Sequence, residues 1–135
     1  MRLWIKRTLI GAASVLIILV CVLGAFYYLI FSDLPDLCNN EIFSQANSPD
    51  GKYKALIFQR DCGATTGFST QVSVLDISEK LENEGGNVFI TANHPNENKI
   101  ELHWVDSSNL IIRNTKTTEP SRMELKIGAV DVGYE

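Results

Sequence analysis

The sequence predicts a mainly β protein: an N-terminal transmembrane helix followed by a small antiparallel β domain, sandwich-like or a meander, of about seven or eight strands. Three observations carry this. Residues 8–31, "TLIGAASVLIILVCVLGAFYYLIF", contain no charge over 24 positions. Beyond them the chain is a series of short β-branched and aromatic runs broken by turn residues, with helical periodicity confined to one brief candidate after Ser78. Two cysteines, Cys38 and Cys62, lie in the β part and suit a single disulfide.

The apolar run makes a helix of roughly 36 Å, against a hydrocarbon core of about 30 Å. A secretory signal peptide is the competing reading, because Arg2, Lys6 and Arg7 form a basic start and Gly24-Ala25 offers small residues for cleavage. The length of the run, the want of a convincing small-x-small cleavage site and the aromatic set Phe26, Tyr27 and Tyr28 favour a retained anchor. Basic residues precede the helix and Asp33 and Asp36 follow it, so the N-terminus is expected in the cytoplasm. The resulting division is a cytoplasmic N-terminus at 1–7, a span at 8–31, a linker at 32–40 and an exported β domain at 41–135. No N-x-Ser/Thr sequon follows Phe31, which suits a bacterial inner membrane protein with a periplasmic or extracytoplasmic domain.

After the span, nine basic residues face sixteen acidic ones, a formal charge of −7. That argues against the basic surface a nucleic-acid or anionic-lipid binder needs. Cys21 lies within the apolar run and reads as a small apolar residue.

The first hairpin is the clearest local signal. "EIFSQAN" and "KYKALIFQR" flank "SPDG", in which Pro49 presets φ and Gly51 accepts a positive one. Tyr53, Ala55 and Ile57 share one face and Leu56 and Phe58 the other, so this second strand is expected in the middle of a sheet. "FSTQVSVLDI" alternates as a strand with one buried face, Phe68, Thr70, Val72 and Val74. "SEKLENEGG" reads as a helical turn or a polar loop, "NVFITAN" as a strand and "HPNEN" as a loop. "KIELHWV" places Ile100, Leu102 and Trp104 on one face and His103 towards solvent; "DSSN" turns and "LIIRN" returns. "RMELKIG" and "AVDVGY" form the last pair.

"SPDGKYKALIF" resembles the strand-turn-strand of TolB-type β-propeller blades, and "WVDSSNLIIR" echoes it more loosely. A propeller needs at least four blades of about 40 residues, so the resemblance implies local hairpin geometry only. The longer string through "RDCGATTGFST" is similar to that of small bacterial membrane-anchored proteins with a Cys-Gly-Ala-Thr-Thr-Gly segment, a resemblance that implies no activity.

Cys62, with the N–H groups of Gly63 to Thr66 beside it, could act as a nucleophile if a base were near, and the chain holds two histidines, His94 and His103. A disulfide with Cys38 is the plainer reading. Neither the histidines nor the scattered acids have metal-ligand spacing, and no phosphate-binding loop is present, so no metal or cofactor is expected. The remaining functional reading is recognition by a braced loop: Arg60, Asp61, Gly63, Thr65, Thr66, Phe68 and Ser69 offer charge, hydrogen-bonding groups and an apolar anchor. The alternative is that the same threonines and glycines serve only strand and turn geometry. The sequence therefore points to a non-enzymatic, single-pass envelope module whose partner is another envelope protein or a wall component. An immunity or inhibitor protein against a periplasmic toxin and a thiol-dependent enzyme using Cys62 are the alternatives.

Overall fold

The computed structural model describes residues 2–31, 37–115 and 119–135. The chain divides into two units, one through Pro35 and one from Asp36 onward. Residues 32–36 of the expected linker lie outside the described residues.

The first unit is α1, Arg2–Phe31, which begins at the basic residues and buries none of its side chains. From Thr8 onward it carries no charge on any side, and it is long and apolar enough to cross a membrane. Its hydroxyls find partners on their own helix: Thr8 Oγ1 donates to the carbonyls of Trp4 and Ile5, and Ser14 Oγ to that of Gly11.

The second unit holds two sheets. Strands β1 (Asn39–Asn47), β2 (Tyr53–Asp61), β3 (Phe68–Asp76), β4 (Phe89–Ala92) and β7 (Arg122–Met123) form one, in the order β1-β2-β3-β4-β7. Strands β5 (Ile100–Asp106), β6 (Asn109–Asn114), β8 (Lys126–Ile127) and β9 (Val130–Tyr134) form the other, in the order β5-β6-β9-β8. Among the described residues nine strands thus stand where about seven or eight were expected. Two details differ from a plain antiparallel meander. The "RMELKIG" run is split between sheets, β7 pairing with β4 and β8 with β9, and β9 lies parallel to β6. Glu124 donates its N–H to the Val88 carbonyl at the point of crossing, so the chain changes sheets without losing this backbone partner.

The core lies between the sheets. Ala55, Ile57, Val72, Val74, Val88 and Phe89 meet Leu110, Ile112, Val130 and Val132, with Tyr53, Leu102, Trp104 and Tyr134 at the margin. Trp104 donates its indole N–H to the Ala46 carbonyl at 3.1 Å, joining the two sheets on the β1–β5 side.

The β1–β2 turn forms as the SPDG sequence implies. Gly51 has φ 70° and donates to the Ser48 carbonyl at 2.9 Å, while the Ser48 hydroxyl donates to Asp50 at 2.7 Å. That hydroxyl, first among its causes, holds the Asp50 carboxyl below its ordinary pKa. Within β1 a bulge between Ile42 and Ser44 leaves Phe43 without a partner on β2.

β2 is central and buried on both faces from Ala55 to Phe58. β3 departs from its expected single buried face, since Gln71 and Ser73 are as inaccessible as Val72 and Val74. Their cover is the segment 77–87, which adopts neither helix nor strand and crosses the outer face of the first sheet as a strap.

Candidate functional site

Strand pairing brings the ends of the RDCGATTGFST segment together. Asp61 is opposite Asn39 in the β1–β2 ladder and opposite Phe68 in the β2–β3 ladder, so the segment is the connection between two paired strands. Cys38 and Cys62, one residue outside these pairs, are joined in a disulfide. The bridge therefore staples together the start of β1 and the end of β2.

The connection is a tight turn. Asp61 Oδ1 accepts from the Gly63 N–H at 2.9 Å, and the Gly63 carbonyl accepts from both the N–H and the hydroxyl of Thr66 at 3.2 Å. Gly63 and Gly67 have φ of 97° and 66°, which L side chains avoid. Thr65 and Thr66 are exposed at the tip. Ser69 is more enclosed, donating to the Arg60 carbonyl at 3.4 Å and accepting from Gln71 at 2.8 Å.

Arg60 points to the strap. Its Nη1 donates to Asn40 Oδ1 at 2.8 Å and to Asn83 Oδ1 at 3.2 Å. Asn83 donates onward to the Cys38 carbonyl, Asn40 donates to the carbonyls of Glu82 and Glu84, and Lys54 Nζ donates to the carbonyls of Ile77 and Glu79. On the far side Gly86 donates to Gln71 Oε1, and a Cβ at Gly86 would lie 2.9 Å from the Val72 carbonyl oxygen. These bonds hold the strap over Leu56 and Phe58, both buried. Sequence reading gave no part in this to Asn40, Asn83 or Gly86; the double glycine was the one available signal of a close backbone approach.

A second grouping adjoins the loop. His94 caps the four-residue helix α2, Pro95–Asn98, where a plain loop was expected, and its Nδ1 accepts from the Asn96 N–H at 3.1 Å. The imidazole stands edge-on to two rings, Phe68 at 5.9 Å and Phe43 at 6.3 Å between centroids. Both phenylalanines are about half exposed, at 49% and 52%. His94 thus stands against Phe68, and the sulfur of Cys62 is bonded to Cys38. His103 is exposed on β5. Among the described residues no three His, Cys, Asp or Glu side chains are grouped to hold a metal ion.

A cleft of about 310 Å³ lined by Tyr53, Val74, Asp76, Glu79 and Ile127 lies elsewhere. Tyr53 and Asp76 pair at the opposite end of β2 and β3 from the Cys62 turn.

A family model of unknown function, DUF5412, matches residues 6–122. The chain belongs to this family. The matched span takes in most of α1, both bridged cysteines, the strap and the aromatic grouping, and ends at the first residue of β7. No curated protein and no solved structure matches the chain, so the blade resemblance of SPDGKYKALIF rests on the hairpin itself.

Proposed function

We propose that this protein is a non-enzymatic, single-pass envelope protein whose β domain presents the Cys62 turn to another envelope protein or a wall component. The observation that carries the reading is the construction of that turn. A disulfide, an Asp61 cap and two positive-φ glycines hold Thr65 and Thr66 exposed at the tip of paired strands. A tip fixed in advance loses little conformational freedom when a partner binds, which is how a braced loop gains affinity. Arg60, Asp61 and Ser69 support the turn from within, while Thr65, Thr66 and Phe68 supply its accessible groups.

The anchor reading is supported by a 30-residue helix that carries no charge from Thr8 to its end, and by a family match that begins inside it at Lys6. The positive-inside rule supports a cytoplasmic N-terminus and a β domain on the outer face of a bacterial inner membrane. A disulfide fits that compartment.

The test replaces Thr65 and Thr66 by alanine in the full chain and places a photoreactive side chain at position 64. Loss of a crosslinked partner with unchanged melting is the expected result. Equal capture by the parent and the alanine variants, or a lowered melting point with capture intact, returns the threonines to a purely structural role.

A further inference from the structure

Phe43 lies at the one irregularity of the β1–β2 ladder. A regular strand would pair it with β2, but the bulge between Ile42 and Ser44 takes it out of register and leaves it 52% exposed. His94 closes the space between it and Phe68, so two half-exposed phenyl rings and an imidazole make one continuous surface. Leu37, 78% exposed, adjoins Cys38 at the same bridged end of the sheet. A soluble domain gains nothing from such a surface unless something covers it.

We infer that this aromatic surface is a lipid-contact site, seated in the interfacial layer of the bilayer that α1 crosses. The inference rests on the anchored reading of α1. Covalent length is the first argument. Phe31 and Cys38 are seven residues apart, a span of at most about 25 Å even when fully extended, and Phe68 pairs with the residue beside the bridged Cys62. The surface is thus held within reach of lipid. Composition is the second argument, because phenylalanine and leucine are among the side chains that bury their apolar area at the boundary between headgroups and acyl chains. Charge is the third. A domain of net charge −7 is repelled by anionic lipid, so the contact is made through rings and aliphatic carbon against that repulsion, and salt, which screens the repulsion, does not weaken it.

The experiment uses the full chain in liposomes with and without dibrominated acyl chains, which quench indole by contact. Trp4→Phe leaves Trp104 as the sole tryptophan, half-buried and bonded to Ala46. Onto this background Phe68→Trp, Phe43→Trp and Leu16→Trp are placed separately; the first two sites are exposed enough to accept an indole, and the third reports the helix. The expected result is a blue shift and a loss of emission with brominated lipid at 68 and 43 beyond the Trp104 background, not weakened by added salt. Quenching at 16 with none at 68 or 43 overturns lipid contact and leaves the anchor standing, as it does if a protein partner covers the surface instead. Absence of quenching at all three overturns both readings.

Discussion

Removing the Cys38–Cys62 bridge tests how the β domain is held together. The pair is separated by 24 residues in sequence, and the chain-entropy relation gives about 3.5 kcal/mol for a closed loop of this length. The folded state loses little, because Asn39 and Asp61 remain partners in the β1–β2 ladder and Asp61 still caps Gly63. The effect therefore falls on the unfolded chain, whose ends become free to separate. In Cys38→Ser/Cys62→Ser, urea unfolding followed by Trp104 emission in a Trp4→Phe background should lose about 3.5 kcal/mol, with a midpoint roughly 15–25 °C lower on heating. Reductant applied to the parent should give the same value. A loss below about 1 kcal/mol in both would refute the reasoning, since it would mean that the bridge constrains nothing in the unfolded ensemble that the ladder does not.

Phe58→Ala opens a cavity beneath the strap and should cost about 3–5 kcal/mol by chemical denaturation, since the ring is fully buried. Gly86→Ala drives a Cβ against backbone at Val72 and Phe89 and should cost about 1–3 kcal/mol, with accelerated amide exchange in 77–87; unchanged exchange would contradict the close approach. Arg60→Ala removes the link to Asn40 and Asn83 and is expected to loosen the strap by about 1 kcal/mol, read as exchange at Asn83 and Glu84 with β6 unaffected. Burial raises the Tyr134 phenol to about 12 from an ordinary 10.0. The folded value being the higher one, its contribution to stability is fully present below pH 10 and is lost as pH rises through about 12. Tyr134→Phe should abolish the late phenolate step in an ultraviolet titration.

Much of the fold was legible because its signals are local. Ser48–Gly51 specifies its own turn, the run from Ala55 to Phe58 declares a central strand by being apolar on both faces, and Ile100, Leu102 and Trp104 alternate against a single sheet. What was not legible depends on partners distant in sequence. Gln71 and Ser73 read as a solvent face, and nothing near them reveals that residues 77–87 fold back to cover them. "RMELKIG" reads as one strand because its pattern is continuous, whereas its two halves answer to β4 and β9. In the candidate site the turn chemistry of Gly63 and Gly67 was visible from composition. The grouping of Phe43, His94 and Phe68 was not, because it needs a bulge that breaks the alternation and a helical cap that a His-Pro pair only hints at.

The placement of β9 sets the order in which this domain can be completed. Val130 and Val132 fill the core, and the strand slots between β6 and β8 as the parallel neighbour of a segment some twenty residues earlier. A chain delivered N-terminus first thus presents its helix, its bridged hairpin and most of the first sheet before the second sheet has its middle. Until β9 arrives, Leu110 and Ile112 have no strand on one side, and the half-built layer is an exposed apolar ledge. Closure of the second sheet therefore waits on β9, and a substitution at Val130 or Val132 should be felt across the interior.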